Sequence, residues 1–137
     1  MDETLTTPLA PGFAVAGSFL EALAGRDFDR LGRALDPAAT MSALLPRGFD
    51  TWDGPDAIVA AFERWFGDVD AFEVLDAAVG QVGGRLQLRW RVRVEGGPRF
   101  PDGARVLEQN VFADTAANGR IVFLALLCSG FCETADQ

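Results

Sequence analysis

The sequence contains no histidine, no lysine and no tyrosine, so all twelve basic residues are arginine. Without imidazole there is no Ser-His or Cys-His nucleophile pair, no histidine base for neutral pH and no His-ligated metal. Without lysine, Schiff-base chemistry and the phosphate-cradling lysine of a P-loop are excluded. Any catalysis must use carboxylates, Arg, thiols, hydroxyls, amides or backbone groups. Cysteine is scarce as well. Cys128 and Cys132 lie four apart near the carboxyl end, a disulfide between them would close a very small loop, and two thiols are expected. Their C-x3-C spacing matches neither zinc nor thioredoxin motifs, and no further Cys or His completes a tetrahedral site, so no metal and no cofactor are expected.

Positive charge is in the minority. A net charge of -8 opposes a phosphate-neutralising surface, and no nucleic-acid partner is expected. Apolar runs all fall short of the roughly 20 residues that cross a bilayer. The acidic start MDETLTTPLAPG, with Pro8 and Pro11, lacks the basic and apolar regions of a secretory signal. The expected protein is cytoplasmic, with no membrane partner.

The 137 residues, 49% apolar and 23% charged, suit one globular domain. Residues 1–10 read as a flexible arm, 11–132 as a single domain and 133–137 as a flexible tail. Phe13, Ala16, Leu20 and Leu23 follow helical spacing from Pro11 to Ala24, with Gly25 as a stop. Asp27 caps a short second helix through Phe28, Leu31 and Leu35 that Pro37 ends. Thr40 to Leu45 reads as a first strand, followed by an irregular passage through Phe49 and Trp52. Asp53 is the expected N-cap of a third helix, with Pro55 in its first turn and Ile58, Phe62, Trp65 and Phe66 on one side.

After Gly67 the pattern changes from helical period to alternation. Phe72 to Val82 reads as a strand, and Arg85 to Val94 alternates Leu86, Leu88, Trp90, Val92 and Val94 against Arg85, Gln87, Arg89, Arg91 and Arg93. A long loop from Glu95 to Gly103, a strand from Ala104 to Ala113, a tight turn at Asn118-Gly119 and a strand from Arg120 to Cys132 complete the order. Helices ahead of a meandering antiparallel sheet make an α+β domain with the helices on one face.

The segments GRDFDRLGRALDPAA, WDGPDAIVAAFERWF and NGRIVFLALLCSGF, with the elements between them, resemble the SnoaL-like branch of the nuclear transport factor 2-like superfamily. The resemblance runs from about Phe13 to Phe131. It implies a conical fold, three N-terminal helices packed on a curved antiparallel sheet, enclosing an apolar pocket and commonly forming a homodimer. Relatives include polyketide cyclases, ketosteroid isomerase, dehydratases, epoxide hydrolases and non-catalytic pocket or docking modules, so fold alone does not select a function. Ketosteroid isomerase needs a hydrogen-bonding Tyr, a base Asp and a protonated Asp. The matching positions are Phe19, then Ala43 or Leu44, then Glu108, or Leu107 if the last hairpin is one residue longer. The first two have no acid or base to offer, and the His-Asp pair of SnoaL-type cyclases is excluded by the absence of His.

Glu108 is thus the surviving candidate for catalysis. Turned inward on an apolar strand, its neutral form would be favoured by desolvation; turned outward, it would pair with the Arg row of the preceding strand. Alternation puts Glu108, Asn110 and Phe112 on one face and Leu107, Gln109 and Val111 on the other without saying which is inside, and a bulge reverses the answer. The candidate pocket lining is Phe19, Met41, Trp52, Phe62, Trp65, Phe66, Trp90, Asn110 and Cys128, with each aromatic equally readable as plain core. Arg47, Asp50 and Asp53 form a lesser cluster near the expected pocket mouth. Two functions follow. One is a pocket for a small apolar or polycyclic molecule, acting as a cyclase, isomerase or dehydratase of specialised metabolism. The other is a non-catalytic homodimeric ligand-binding or docking module.

Overall fold

The structure, a computed structural model, describes residues 12–134. The expected arm at 1–10 and the last three residues of the expected tail lie outside the described residues. Three helices and seven strands follow one another as α1 (Phe13–Ala24), α2 (Phe28–Arg33), β1 (Leu35–Leu45), β2 (Gly48–Asp53), α3 (Pro55–Phe66), β3 (Ala71–Val82), β4 (Arg85–Gly96), β5 (Phe100–Thr115), β6 (Ile121–Cys128) and β7 (Cys132–Glu133). The helices do not all precede the sheet, because β1 and β2 form a hairpin between α2 and α3.

Each helix buries one stripe. In α1 this is Ala16, Phe19, Ala22 and Leu23, and in α3 Ile58, Ala61, Phe62 and Phe66, spacings that return to the same side every three or four residues. The Asp27 side chain accepts from the Arg30 N–H at 3.1 Å, capping α2 as expected. Helix α3 is different. Its N-cap is Gly54 with φ of 93°, while Asp53 remains in β2 opposite Thr40. The β1–β2 ladder runs one residue further than the capping pattern suggests, and the chain then turns through a left-handed conformation that favours glycine. At the far end of α3, Arg26 Nη1 donates to the carbonyls of Phe66 at 3.1 Å and Val69 at 2.8 Å, satisfying groups that the ending helix leaves open.

The sheet order is β2-β1-β6-β5-β4-β3, with β7 paired to β5. The sheet is mixed. All pairs are antiparallel except β1 with β6, which run parallel from Leu35 beside Ile121 to Leu44 beside Leu127. Alternation reveals that a segment is a strand but not its partner, which is why an all-antiparallel sheet was the expectation. Strand β1 also begins earlier than Thr40, and Pro37 sits in the irregular stretch between Leu35 and Thr40, where no partner is recorded in the ladder. The passage through Phe49 and Trp52 is the edge strand β2. The last strand stops at Cys128, and Glu133, expected in the tail, pairs with Arg105 in β7.

Irregularities interrupt the ladders at Val74/Asp76, Val94/Gly96 and Asp114/Thr115, and such bulges bend a sheet. The bent sheet packs its concave side on α1 and α3. There the alternating apolar residues of β4 meet Leu107 and Val111 of β5 and Leu124 and Leu126 of β6, all buried. The opposite face carries Arg85, Arg89, Arg91 and Arg93, paired with Asp114, Asp76, Glu108 and Glu95 at 2.9, 2.6, 2.8 and 3.2 Å. These exposed pairs orient side chains and contribute little stability each, about 0–1 kcal/mol.

Candidate functional site

Glu108 faces outward, opposite Arg91 in the β4–β5 ladder. Asn110 Nδ2 donates to its Oε2 at 3.1 Å and Arg91 Nε to its Oε1 at 3.0 Å. Those bonds, that from Asn110 first and that from Arg91 next, hold the Glu108 carboxyl below its ordinary pKa. This is the reverse of a neutral, inward-turned acid, and of the two readings of Glu108 it is the outward one, paired with the Arg row, that the structure shows. Asn110 leaves the interior with it. The two border a shallow outer groove of about 470 Å³ together with Leu127.

The interior belongs instead to an aromatic cluster. Phe62 lies 5.7 Å from Phe19, 5.1 Å from Trp65, 6.3 Å from Phe66 and 6.2 Å from Trp90, in tilted or edge-on arrangements. Phe19, Met41, Phe62, Phe66 and Trp90 are at most 1% exposed. They therefore form the core and line no free space, which corrects their assignment to a pocket. Among the described residues Gln109 is the buried polar or charged side chain, at 0% exposure. Its Oε1 accepts from the Trp90 indole N–H at 2.7 Å, and its Nε2 donates to Cys128 Sγ at 3.4 Å. Gln109 was not singled out in the sequence. No sequence signal marked it, because the register that sets it opposite Trp90 depends on the irregularity between Val94 and Gly96.

Free volume remains at one edge of this core, in a cavity of about 280 Å³. The end of β1 and the turn after it bring Leu45 and Arg47 to it, the last turn of α3 brings Trp65, the end of β6 brings Cys128 and the chain beyond it brings Phe131. Trp52 does not line the cavity; it packs edge-on against Trp65 at 5.8 Å and supports that wall from behind. Gly130, at φ of 82°, is held so close to Pro46 that a Cβ would lie 2.6 Å from its Cγ. The Gly130 N–H donates to Cys128 Sγ at 3.3 Å, so the thiol sits between two donors, the other being Gln109.

Arg99 closes the cavity from the β4–β5 turn. Its Nε and Nη2 reach Asp68 at 3.3 and 2.8 Å, Nη2 donates to the Trp65 carbonyl at 2.7 Å, and its guanidinium carbon lies 4.9 and 5.1 Å from the Phe100 and Phe131 ring centres. The hydrogen bond from Arg99 is the leading reason that the Asp68 carboxyl is held below its ordinary pKa. Larger surface hollows lie outside the core, one of about 630 Å³ bordered by α2, α3 and Arg120, another of the same volume on the outer sheet face beside Cys132. No group of three or more His, Cys, Asp or Glu among the described residues is placed to hold a metal ion. Among the described residues no helix is long and apolar enough to cross a membrane.

A curved mixed sheet around helices, with an aromatic core and a cavity at its edge, defines a class that the comparisons name. The family model for the SnoaL-like domain matches residues 16–124. The chain belongs to the SnoaL-like family. Solved structures share the fold at low identity. One is a protein from Xanthomonas campestris pv. campestris whose assignment as a polyketide cyclase is provisional (TM-score 0.67, 18% identity, 85% of this chain and 89% of that one covered). Another is an LEH-like epoxide hydrolase from M. tuberculosis (TM-score 0.65, 21% identity, 87% and 83% covered). A third is an NTF2-like protein of unknown function from Cytophaga hutchinsonii (TM-score 0.60, 14% identity, 90% and 94% covered). Among curated proteins none matches significantly.

Proposed function

We propose that this chain is a ligand-binding SnoaL-like domain that holds a small, mainly apolar molecule in the edge cavity and transfers no proton through side chains of its interior. The observation that carries this reading is that Gln109, an amide, is the buried polar side chain among the described residues, while the carboxylate best placed by sequence points away. An amide offers hydrogen bonds but no titration near neutral pH. The cavity volume of about 280 Å³ lies at the low end for ligand sites and favours one or two rings over a polycyclic skeleton. The test is a titration with 2-naphthalenemethanol followed by amide and indole NMR shifts. Saturable shifts confined to Trp65, Gly130, Phe131 and their neighbours are expected. Shifts spread over the outer sheet face, or none at millimolar probe, would overturn the reading.

A homodimer is the second part of the proposal, and one observation favours it. Phe49, Leu44 and Leu127 are 67%, 50% and 54% exposed, and they adjoin one another across β2, β1 and β6 on the outer face, with Phe112, 39% exposed, diagonal to Leu127 beside Asn110. Contiguous exposed apolar surface of this kind is costly to leave in water and suits a second copy of the same face. Light scattering should report twice the chain mass, and Leu127→Arg should shift the population to monomer. A wild-type protein that stays monomeric at high concentration would refute it.

A further inference from the structure

The cavity has a charge that the rest of the chain does not. Both ionised side chains on its lining are arginines, Arg47 and Arg99, and no Asp or Glu lines it, in a protein whose net charge is -8. Arg99 is fixed in place by Asp68, the Trp65 carbonyl and two aromatic rings, yet its Nη1 makes no hydrogen bond to any described residue. Arg47, exposed in the β1–β2 turn, makes neither an ion pair nor a hydrogen bond with any described residue. Its nearest acid in sequence, Asp50, accepts the N–H of Thr51. Arg47 differs in this from the Arg row on the outer sheet face, where each of the four arginines has a carboxylate, and from Arg99, which has Asp68.

From these residues we infer that the cavity recognises an anion: its ligand is a flat one- or two-ring molecule bearing a carboxylate. The ring would lie between Trp65 and Phe131, and the carboxylate would accept from Arg47 at the rim, with Arg99 Nη1 as a second donor. The inference rests on the cavity reading above and adds the ligand's charge to it. The physical argument is one of sign. An acidic protein repels anions at long range, so retaining one requires a local, positively charged fork. Arginine supplies that fork with planar donors matched to a carboxylate, and its own cost of desolvation is small at an exposed rim. A neutral ligand has no use for Arg47 at all. Aromatic walls alone would hold it.

The experiment compares 2-naphthoate with 2-naphthalenemethanol, which has the same ring system without the charge, by calorimetric titration of the full chain at low and high salt. The carboxylate is expected to bind about tenfold tighter at low salt, the advantage of a charge-assisted hydrogen bond, and to lose part of that advantage as salt screens it. Arg47→Gln should cut the preference several-fold, with Arg99 Nη1 supplying what remains, and should weaken the carboxylate more than the alcohol. Arg120→Gln removes the same charge at the opposite end of β6 and should change neither. Equal binding of the two probes, or a preference undiminished by Arg47→Gln, overturns the inference and leaves the cavity reading standing. Failure of both probes to bind overturns the two together.

Discussion

Gln109→Glu should cost about 4 kcal/mol of stability near pH 8 and far less near pH 5, a pH dependence the wild type does not have at this position. The side chain at 109 has no exposure and touches the Trp90 indole and the Cys128 thiol. A carboxyl placed there is desolvated, so its folded pKa rises above the unfolded value of about 4.3. The sign follows directly. When an acid has a raised folded pKa, the folded state binds its proton more tightly. The variant is therefore little penalised below the unfolded value and loses about 1.36 kcal/mol per unit as pH climbs towards the folded one. A rise of about three units produces the loss stated. Urea denaturation at the two pH values measures it. Gln109→Leu is the control, losing the bond to Trp90 at both pH values alike, about 1–3 kcal/mol. A Gln109→Glu protein equally stable at both would show that water reaches this position.

Phe62→Ala should destabilise the protein by about 4 kcal/mol, because it removes a ring from a packed centre that has little means of collapsing inwards. Phe62 is 0% exposed and four aromatic rings have their centres within 6.3 Å of its own. Its neighbours come from α1, α3 and β4, so no single element can move to fill the void without breaking its own ladder or helix. Denaturant unfolding with an unchanged slope and a lowered midpoint is the expected result. A loss below about 1 kcal/mol would mean that the space around this ring is already loose.

These two residues also show what could be read in advance. Phe62 was legible both as a position on the inward stripe of a helix and as an aromatic, since period 3.6 reports a buried face directly. What the period cannot report is whether that face meets other side chains or an open hollow. The same limit applied to Trp90. Position 108 was ambiguous for a sharper reason. If the ladder ran without irregularity from the Gly96–Phe100 pair, Glu108 would stand opposite Leu88 and point inward. The shift between Val94 and Gly96 sets it opposite Arg91 and turns it out. One local irregularity thus exchanged a supposed acid for an amide at the heart of the molecule. The edge strand β2 was missed because Phe49, Asp50, Thr51 and Asp53 are all exposed, leaving no alternation to detect. Gly54 was overlooked as a cap because Asp53 already matched the commoner pattern.

The parallel seam between β1 and β6 has a bearing on how this protein comes into being. Among the described residues β1 pairs with β2 and with β6, and β6 is synthesised only after α3, β3, β4 and β5. Until then that edge of β1 has no partner in the sheet, and the nascent chain carries it open while those elements are made. Such a topology pays loop-closure entropy before it collects its reward, so refolding should be slow and dominated by a single late step. A chain cut short before Ile121 has no route to the native sheet and becomes a substrate for chaperones or proteases.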